Sequence, residues 1–172
     1  MRIYRESKFT FDFTVARDSV DHDKIDGDGN TFWDGVDFRV AEEGREVWIE
    51  VKNWRFKLMP NSAERLFAQR DFQGKLSNKT HYMDAFRDEI VHKFLGTTCY
   101  LAWARIDVPE EVYYVVLLDP PNHGSRALLL PFQDRLRDQF KNAQSRGFRI
   151  KCKAIDLQGF QQEFPDYPVS RY

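Results

Sequence analysis

Two short runs decide the fold, Val36-Asp37-Phe38-Arg39-Val40 and Val47-Trp48-Ile49-Glu50-Val51-Lys52. Apolar residues alternate through both runs, which is the period of a half-buried β-strand. The segment between them, Glu42-Glu43-Gly44, is typical of a hairpin loop. The sequence therefore predicts two adjacent antiparallel strands joined by a tight turn.

Three charged side chains of this hairpin are expected on one patch. Side chains two apart on a strand share a face, so Glu50 and Lys52 point the same way. A suitable register brings Asp37 of the neighbouring strand beside Glu50. Two carboxylates and an ammonium on a rigid sheet favour a hard divalent cation as ligand. The alternative is an exposed hairpin face whose opposite charges pair across the strands, worth roughly 0.2–1 kcal/mol per pair.

The pattern Asp…Glu-x-Lys on two adjacent strands resembles the PD-(D/E)XK nuclease superfamily, which has the restriction-endonuclease-like fold. The resemblance implies that Asp37, Glu50 and Lys52 are catalytic. Asp37 and Glu50, with the Val51 carbonyl, would hold Mg²⁺ or Mn²⁺, and Lys52 would act on the attacking water. No proline precedes Asp37, although many members of the superfamily also lack it.

The function implied by this resemblance is metal-dependent, endonuclease-type hydrolysis of phosphodiester bonds in nucleic acid. The alternative is a catalytically silent scaffold of the same fold that binds nucleic acid or a protein partner. Many nucleases of this kind dimerise, so the resemblance also allows a homodimer. A broader likeness to an uncharacterised bacterial family covers most of the chain, through Phe11-Asp12-Phe13, the two hairpin strands and the segment 167–171. That family supplies no activity.

Composition predicts a single, packed α/β domain. The chain has 172 residues, of which 42% are hydrophobic and 15% aromatic, as expected for a globular core. No run approaches 18 apolar residues and the first residues do not resemble a signal peptide, so we expect a cytoplasmic protein without a membrane partner. Cys99 and Cys152 are expected to be buried free thiols.

Charge is distributed unevenly along the chain, although the formal net charge is −1. Residues 12–50 contain twelve acidic and four basic residues, whereas 134–153 contain two acidic and seven basic ones. A basic region opposite an acidic, metal-binding one would suit a nucleic-acid phosphodiesterase, because phosphate contacts supply sequence-independent affinity. The alternative is that these charged side chains only lie on the solvent-exposed faces of a helix and a strand. Arg135 and Arg137 are candidate phosphate-binding residues from this region.

Additional carboxylates could complete the metal site. The run Lys8–Val15 predicts a strand with Phe9, Phe11, Phe13 and Val15 on one side and Asp12 on the other. The segment Asp18–Asn30 predicts a long acidic loop. Candidate extra carboxylates are Asp12, Asp26 and Glu6. Asp26 also begins a near match to a calcium loop, but its sixth position is Thr31 instead of glycine.

The region after Lys52 is predicted to be helical in two pieces. Asn61 is a typical N-cap, and a second helical stretch runs from Lys75 to Leu95, where Gly96 predicts its end. In nucleases of this type the helix after the lysine strand often offers a polar residue to the phosphate. The candidates are Lys75, Asn78, Lys79 and His81, each of which could equally be an ordinary surface side chain.

The remaining elements complete the predicted fold. Apolar runs at Cys99–Ile106 and Val112–Leu118 predict two strands, Phe132–Arg146 an amphipathic helix, and Phe148–Ile155 a further strand. Phe160 and Phe164 are expected to anchor the tail. We therefore predict a mixed central β-sheet, with the hairpin 36–52 near its middle and helices on its faces.

Overall fold

A computed structural model describes residues 2–6, 8–21, 35–52, 82–118, 129–144 and 149–171, apart from the side chains of 82–86, 131 and 142–144. The candidates Asp26, Lys75, Asn78, Lys79 and His81 lie outside the described residues, as does the helix predicted from Asn61. The elements that the structure describes are strands β1 (Ile3–Glu6), β2 (Phe9–Asp12), β3 (Asp18–Asp21), β4 (Phe38–Ala41), β5 (Glu46–Lys52), β6 (Glu111–Leu118), β7 (Arg149–Ile155) and β8 (Val169–Arg171), and helices α1 (Tyr82–Trp103), α2 (Leu129–Gln144) and α3 (Leu157–Glu163).

Five strands form a mixed sheet in the order β3-β4-β5-β6-β7. The pairs β3–β4 and β4–β5 are antiparallel, whereas β5–β6 and β6–β7 are parallel. The central strand is therefore β5, where antiparallel pairing gives way to parallel pairing. This confirms the predicted mixed α/β sheet with the hairpin near its middle.

The hairpin forms where its sequence predicts it. Gly44 has a φ of 78°, a left-handed conformation that glycine adopts without the steric strain of a Cβ atom. The Glu42 N–H donates to the Arg45 carbonyl across the turn at 3.0 Å. The turn thereby fixes the β4–β5 register, in which Phe38 faces Ile49 and Val40 faces Val47.

Both faces of the five-stranded sheet are covered. On one face, Trp48 of β5 belongs to a core with side chains of α1 and α2, among them Phe94 and Leu136. On the other, Ile49 packs in a second core with the small antiparallel sheet β1-β2-β8 and with α3, including Phe11 and Phe160. Helices were predicted on both faces, but the small sheet provides much of the second cover.

Helix α1 corrects two predictions. It continues through Gly96 to Trp103, so the predicted end at Gly96 and the predicted strand Cys99–Ile106 are both wrong. The buried positions Ile90, Phe94, Thr97 and Leu101 are spaced by three or four residues, which is a helical period. The burial of this stripe against the sheet outweighs the weak helix propensity of one glycine.

The N-terminal predictions are partly right. Phe9, Phe11 and Phe13 are buried as expected, but strand β2 ends at Asp12 and Val15 is 69% exposed. The start of the predicted acidic loop is instead strand β3, which pairs along the edge of the sheet with β4. Asp37 lies in a bend just before β4 and does not belong to the strand.

The two cysteines are free, but they are less buried than predicted. Cys99 is exposed on α1 and Cys152 is half-buried on β7. Phe160 and Phe164 are buried and anchor the tail, as expected. Within the part of the chain that the structure describes, no helix is both long and apolar enough to cross a membrane.

Candidate functional site

The carboxyl end of β5 brings the predicted catalytic residues together. Continuing the β4–β5 register by one residue places Asp37 opposite Glu50. The Val51 N–H donates to Asp37 Oδ2 at 2.6 Å, and this hydrogen bond holds the side chain of Asp37 against strand β5. Asp37 is 6% exposed and Glu50 is fully buried.

Glu50 is fully buried, and its carboxylate is paired with Lys52, whose Nζ lies 2.5 Å from Oε1. Apart from this ion pair, neither oxygen of Glu50 has a hydrogen-bond partner among the described residues. The hairpin face is not exposed, as the alternative supposed, because α1 covers the Glu50 face of β5. Opposite charges do pair, however: Lys52 with Glu50 and, across the strands, Arg39 with Glu46. Leaving buried polar atoms without hydrogen bonds is expensive and rare in native proteins.

Lys52 joins the strand to α1. Its ammonium lies 3.1 Å from Glu89 Oε1 as well as contacting Glu50, and its side chain is only 13% exposed. The ammonium therefore lies between two carboxylates that come from different elements. Asp37 is a third negative charge near it, since it too acts on the pKa of Lys52.

Helix α1 turns a polar stripe toward this site, and the sequence analysis missed it. Glu89 contacts Lys52, the charge of Lys93 acts on Glu50, and Thr97 Oγ1 accepts the Val36 N–H at 2.8 Å. The spacing of four residues places all three on one face of the helix. Glu89 and Lys93 lie within the helical stretch predicted from Lys75 to Leu95, and their spacing of four residues was the available signal, whereas Thr97 lies beyond the end predicted at Gly96.

The ionisation of the site follows from burial and from its mixture of charges. Burial, and then the negative charge of Glu50, raises the pKa of Asp37, while Lys52 and the Val51 N–H oppose the rise. Burial also raises the pKa of Glu50 against the charges of Lys52 and Lys93. For Lys52, burial alone would lower the pKa, but Glu50, Glu89 and Asp37 outweigh it and raise the pKa. Lys52 is therefore a firmly protonated ammonium.

The other proposed carboxylates differ in position. The Thr14 N–H donates to Asp12 Oδ1 at 2.9 Å, so Asp12 caps the turn after its own strand. Glu6, on β1, is near enough for its charge to contribute to raising the pKa of Asp37, after burial and Glu50. Glu6 thus lies at the edge of the site, whereas Asp12 is engaged locally.

In 134–144 and 149–153, the described part of the basic region, basic side chains pair with acidic ones. Its ion pairs are Arg137–Asp134, Lys141–Asp138, Arg149–Glu110, Lys151–Glu111 and Lys153–Glu163. Arg137 acts on the thiol of Cys152, whose pKa burial raises to about 12, and so lies near the edge strand β7. Arg135 is half-buried on the same helix. The structure does not bring Arg137 to the carboxylates of β5.

The donor set can be tested against a divalent cation. Among the described residues, no three His, Cys, Asp or Glu side chains are arranged to hold a metal ion. Two carboxylates, Asp37 and Glu50, are adjacent, and Lys52 Nζ lies 2.5 Å from Oε1 of Glu50, whose oxygens have no other hydrogen-bond partner within the same residues. Oxygen ligands of this kind suit Mg²⁺ or Mn²⁺, which usually keep several waters and take only one or two protein carboxylates. The residues present therefore fit such an ion.

Comparisons with protein-family models, with curated proteins and with solved structures gave no match to this chain.

Proposed function

We propose that this protein is a nuclease that hydrolyses phosphodiester bonds of nucleic acid with the help of Mg²⁺ or Mn²⁺. The observation that carries the proposal is the carboxylate of Glu50. It is fully buried beside Asp37, and apart from the ammonium of Lys52 neither of its oxygens has a hydrogen-bond partner among the described residues. A buried charged group in this state destabilises a fold unless a ligand uses it.

The perturbed ionisation of the site supports the same function. Asp37, Glu50 and Lys52 all have raised pKa values. Titratable residues with strongly shifted pKa values concentrate at functional sites, where their burial serves catalysis or ligand binding. A purely structural ion pair would need only one carboxylate for Lys52.

The order of elements also supports the proposal. From β3 to β6, the described elements run strand, strand, strand, helix, strand. The same order forms most of the αβββαβ core of the restriction-endonuclease-like fold, which we propose for this chain. Strand β1 precedes it, so the first helix of that core has no counterpart among the residues described here.

The chain's own residues have distinct roles in this proposal. Asp37 and Glu50, with the Val51 carbonyl, hold the cation. When bound, the cation would activate a water molecule and polarise the scissile phosphate. Lys52, which the buried carboxylates keep protonated in the metal-free protein, lies beside Glu50 and acts on the attacking water. The negative charges of Asp37 and Glu50 repel a phosphate group until the cation is bound.

The test is a cleavage assay on single- and double-stranded DNA and RNA, with Mn²⁺ and with a chelator. Glu50→Gln and Lys52→Met should each lose cleavage at least a hundredfold while keeping the native circular dichroism spectrum. Glu43→Gln is the matched control, because Glu43 is exposed in the hairpin turn at the other end of β5 and its loss should not matter. Cleavage that persists in the chelator, or in Glu50→Gln, would contradict the proposal.

A second candidate function is a silent scaffold that binds a partner without catalysis. The observation in its favour is the ion pairing of the basic region, which leaves Lys141 and Lys151 matched with acidic neighbours. These pairs are exposed and each is worth less than about 1 kcal/mol, so phosphates could compete for them. Nucleic-acid binding that is unaffected by Mn²⁺ and by Glu50→Gln, without cleavage, would favour the scaffold.

A further inference from the structure

We propose that Lys52 is a built-in counter-ion: its ammonium fills the cation position beside Glu50 in the metal-free protein, and a divalent cation binds by displacing it from Glu50 while Glu89 retains it. This inference rests on the metal site of the proposed function. It adds a residue, Glu89, to that site and makes metal binding an exchange of one cation for another.

The ammonium of Lys52 is as close to Glu50 as a bound metal ion would be. Lys52 Nζ lies 2.5 Å from Glu50 Oε1. Divalent cations approach carboxylate oxygens to about 2.0–2.6 Å. An ammonium and a metal ion therefore cannot both contact Oε1 from the same side, since they would occupy nearly the same space and repel each other. A metal ion that binds Oε1 from this side must therefore take the place of the ammonium.

When the ammonium of Lys52 leaves Glu50, it can stay paired with Glu89. Lys52 is 13% exposed, and a buried ammonium without a partner would strongly oppose displacement. Glu89 Oε1 already lies 3.1 Å from Lys52 Nζ, so the ammonium keeps one carboxylate when it leaves Glu50. Glu89 is a positioning residue, because it acts on the cation site through Lys52.

A buried hydrogen bond joins the helix that carries Glu89 to the segment that carries Asp37. Two turns later, Thr97 is fully buried and its Oγ1 accepts the N–H of Val36, the residue before Asp37. The same hydroxyl donates to the Lys93 carbonyl at 3.1 Å. Helix α1 is thus joined to the segment that carries Asp37, and Glu89 keeps a fixed position relative to both carboxylates.

The experiment measures Mn²⁺ affinity by calorimetry at neutral pH. Lys52→Met keeps the length and apolar stem of the side chain but removes the competing charge, so it should bind Mn²⁺ at least tenfold more tightly than the wild type. Glu89→Gln should bind at least threefold more weakly, because Lys52 then loses the carboxylate that retains it when it leaves Glu50. Lys141→Met is the control: Lys141 is 66% exposed and paired with Asp138, and its removal should leave the affinity unchanged.

The double variant Lys52→Met/Glu89→Gln tests whether Glu89 affects metal binding through Lys52 or directly through its own charge. If Glu89 acts through Lys52, Glu89→Gln should have less than a threefold effect once Lys52→Met is present, and the two changes will not be additive. An equal loss with and without Lys52 would overturn the positioning role. If Lys52→Met fails to fold, Glu89→Gln alone decides, and an affinity equal to or above that of the wild type would overturn the inference.

The outcomes distinguish this inference from the proposed function. Metal-dependent cleavage by the wild type, together with Mn²⁺ binding by Lys52→Met no tighter than the wild type's, overturns the counter-ion and leaves the nuclease. Binding by Lys52→Met but not by the wild type supports the counter-ion directly. An absence of binding in both folded proteins overturns the metal site and the counter-ion together.

Discussion

Replacing Asp37 by asparagine should stabilise the metal-free protein. Asp37 is 6% exposed and lies beside Glu50, and burial followed by this like charge raises its pKa. The folded state therefore resists ionisation of Asp37, whereas the unfolded chain does not. Asparagine removes the charge but keeps an oxygen that can accept the Val51 N–H, now bonded to Asp37 Oδ2 at 2.6 Å.

The magnitude follows from replacing a buried charge by a neutral group. Each tenfold decrease in the acid dissociation constant of Asp37 on folding costs the folded state about 1.4 kcal/mol once the group is ionised, and in a domain of this size each 1 kcal/mol corresponds to about 2–4 °C in Tm. The gain from Asp37→Asn should also depend on pH. Because the pKa of Asp37 is raised in the folded state, its ionisation lowers stability as pH rises above about 3.9, the value of an unfolded aspartate. The advantage of the variant should therefore grow as pH rises above about 3.9 and level off once Asp37 is ionised in the folded state.

Thermal and urea denaturation, followed by circular dichroism without metal, measure this effect. Asp138→Asn is the matched control, since Asp138 is 61% exposed and its loss should change stability by less than about 0.5 kcal/mol. Saturating Mn²⁺ should reverse the ranking, because it stabilises only proteins that bind it. A metal-free Asp37→Asn variant that is less stable than the wild type at pH 7.5 would refute the reasoning.

Two further predictions concern the supports of the fold. Thr97→Val should cost about 1–3 kcal/mol in urea denaturation by leaving the buried N–H of Val36 without its acceptor, whereas Thr97→Ser should retain most of the stability. Glu163 accepts the Tyr113 hydroxyl at 2.6 Å and pairs with Lys153, and these hydrogen bonds lower its pKa. That contribution is present above about pH 4.3, the unfolded value, and is lost as pH falls further. The stability difference between wild type and Glu163→Gln should therefore shrink on acidification below pH 4.3, and a difference that stays constant would contradict it.

The hairpin and its catalytic pattern could be predicted because the signals are local. Alternation of apolar residues identifies the two strands, and Gly44 identifies the turn between them. Once the turn is fixed, the register follows, and it places Asp37 opposite Glu50. The central position of β5 was predictable too, since the apolar run that became β6 could pair beside it.

The surroundings of the site were not predictable in the same way, because they depend on which elements cover the sheet. Alternation along β5 suggested one buried face, whereas both are buried. A weak signal was present: Trp48 shares a face with Glu50, and a large aromatic residue rarely faces water alone. The contribution of Glu89 depends on α1 packing over that face with this side turned toward β5, which no local pattern near Lys52 encodes.

The two charge-removing variants of the site together test whether its electrostatics have the sign argued above. Removing a carboxylate, as in Asp37→Asn, should stabilise the metal-free fold and abolish Mn²⁺ binding. Removing the ammonium, as in Lys52→Met, should destabilise the metal-free fold, since breaking a buried pair costs about 3–5 kcal/mol, and should tighten Mn²⁺ binding. A site built only for stability would lose stability in both variants and gain metal affinity in neither. Opposite changes in both quantities are the result expected if Lys52 and the metal ion compete for the same carboxylates.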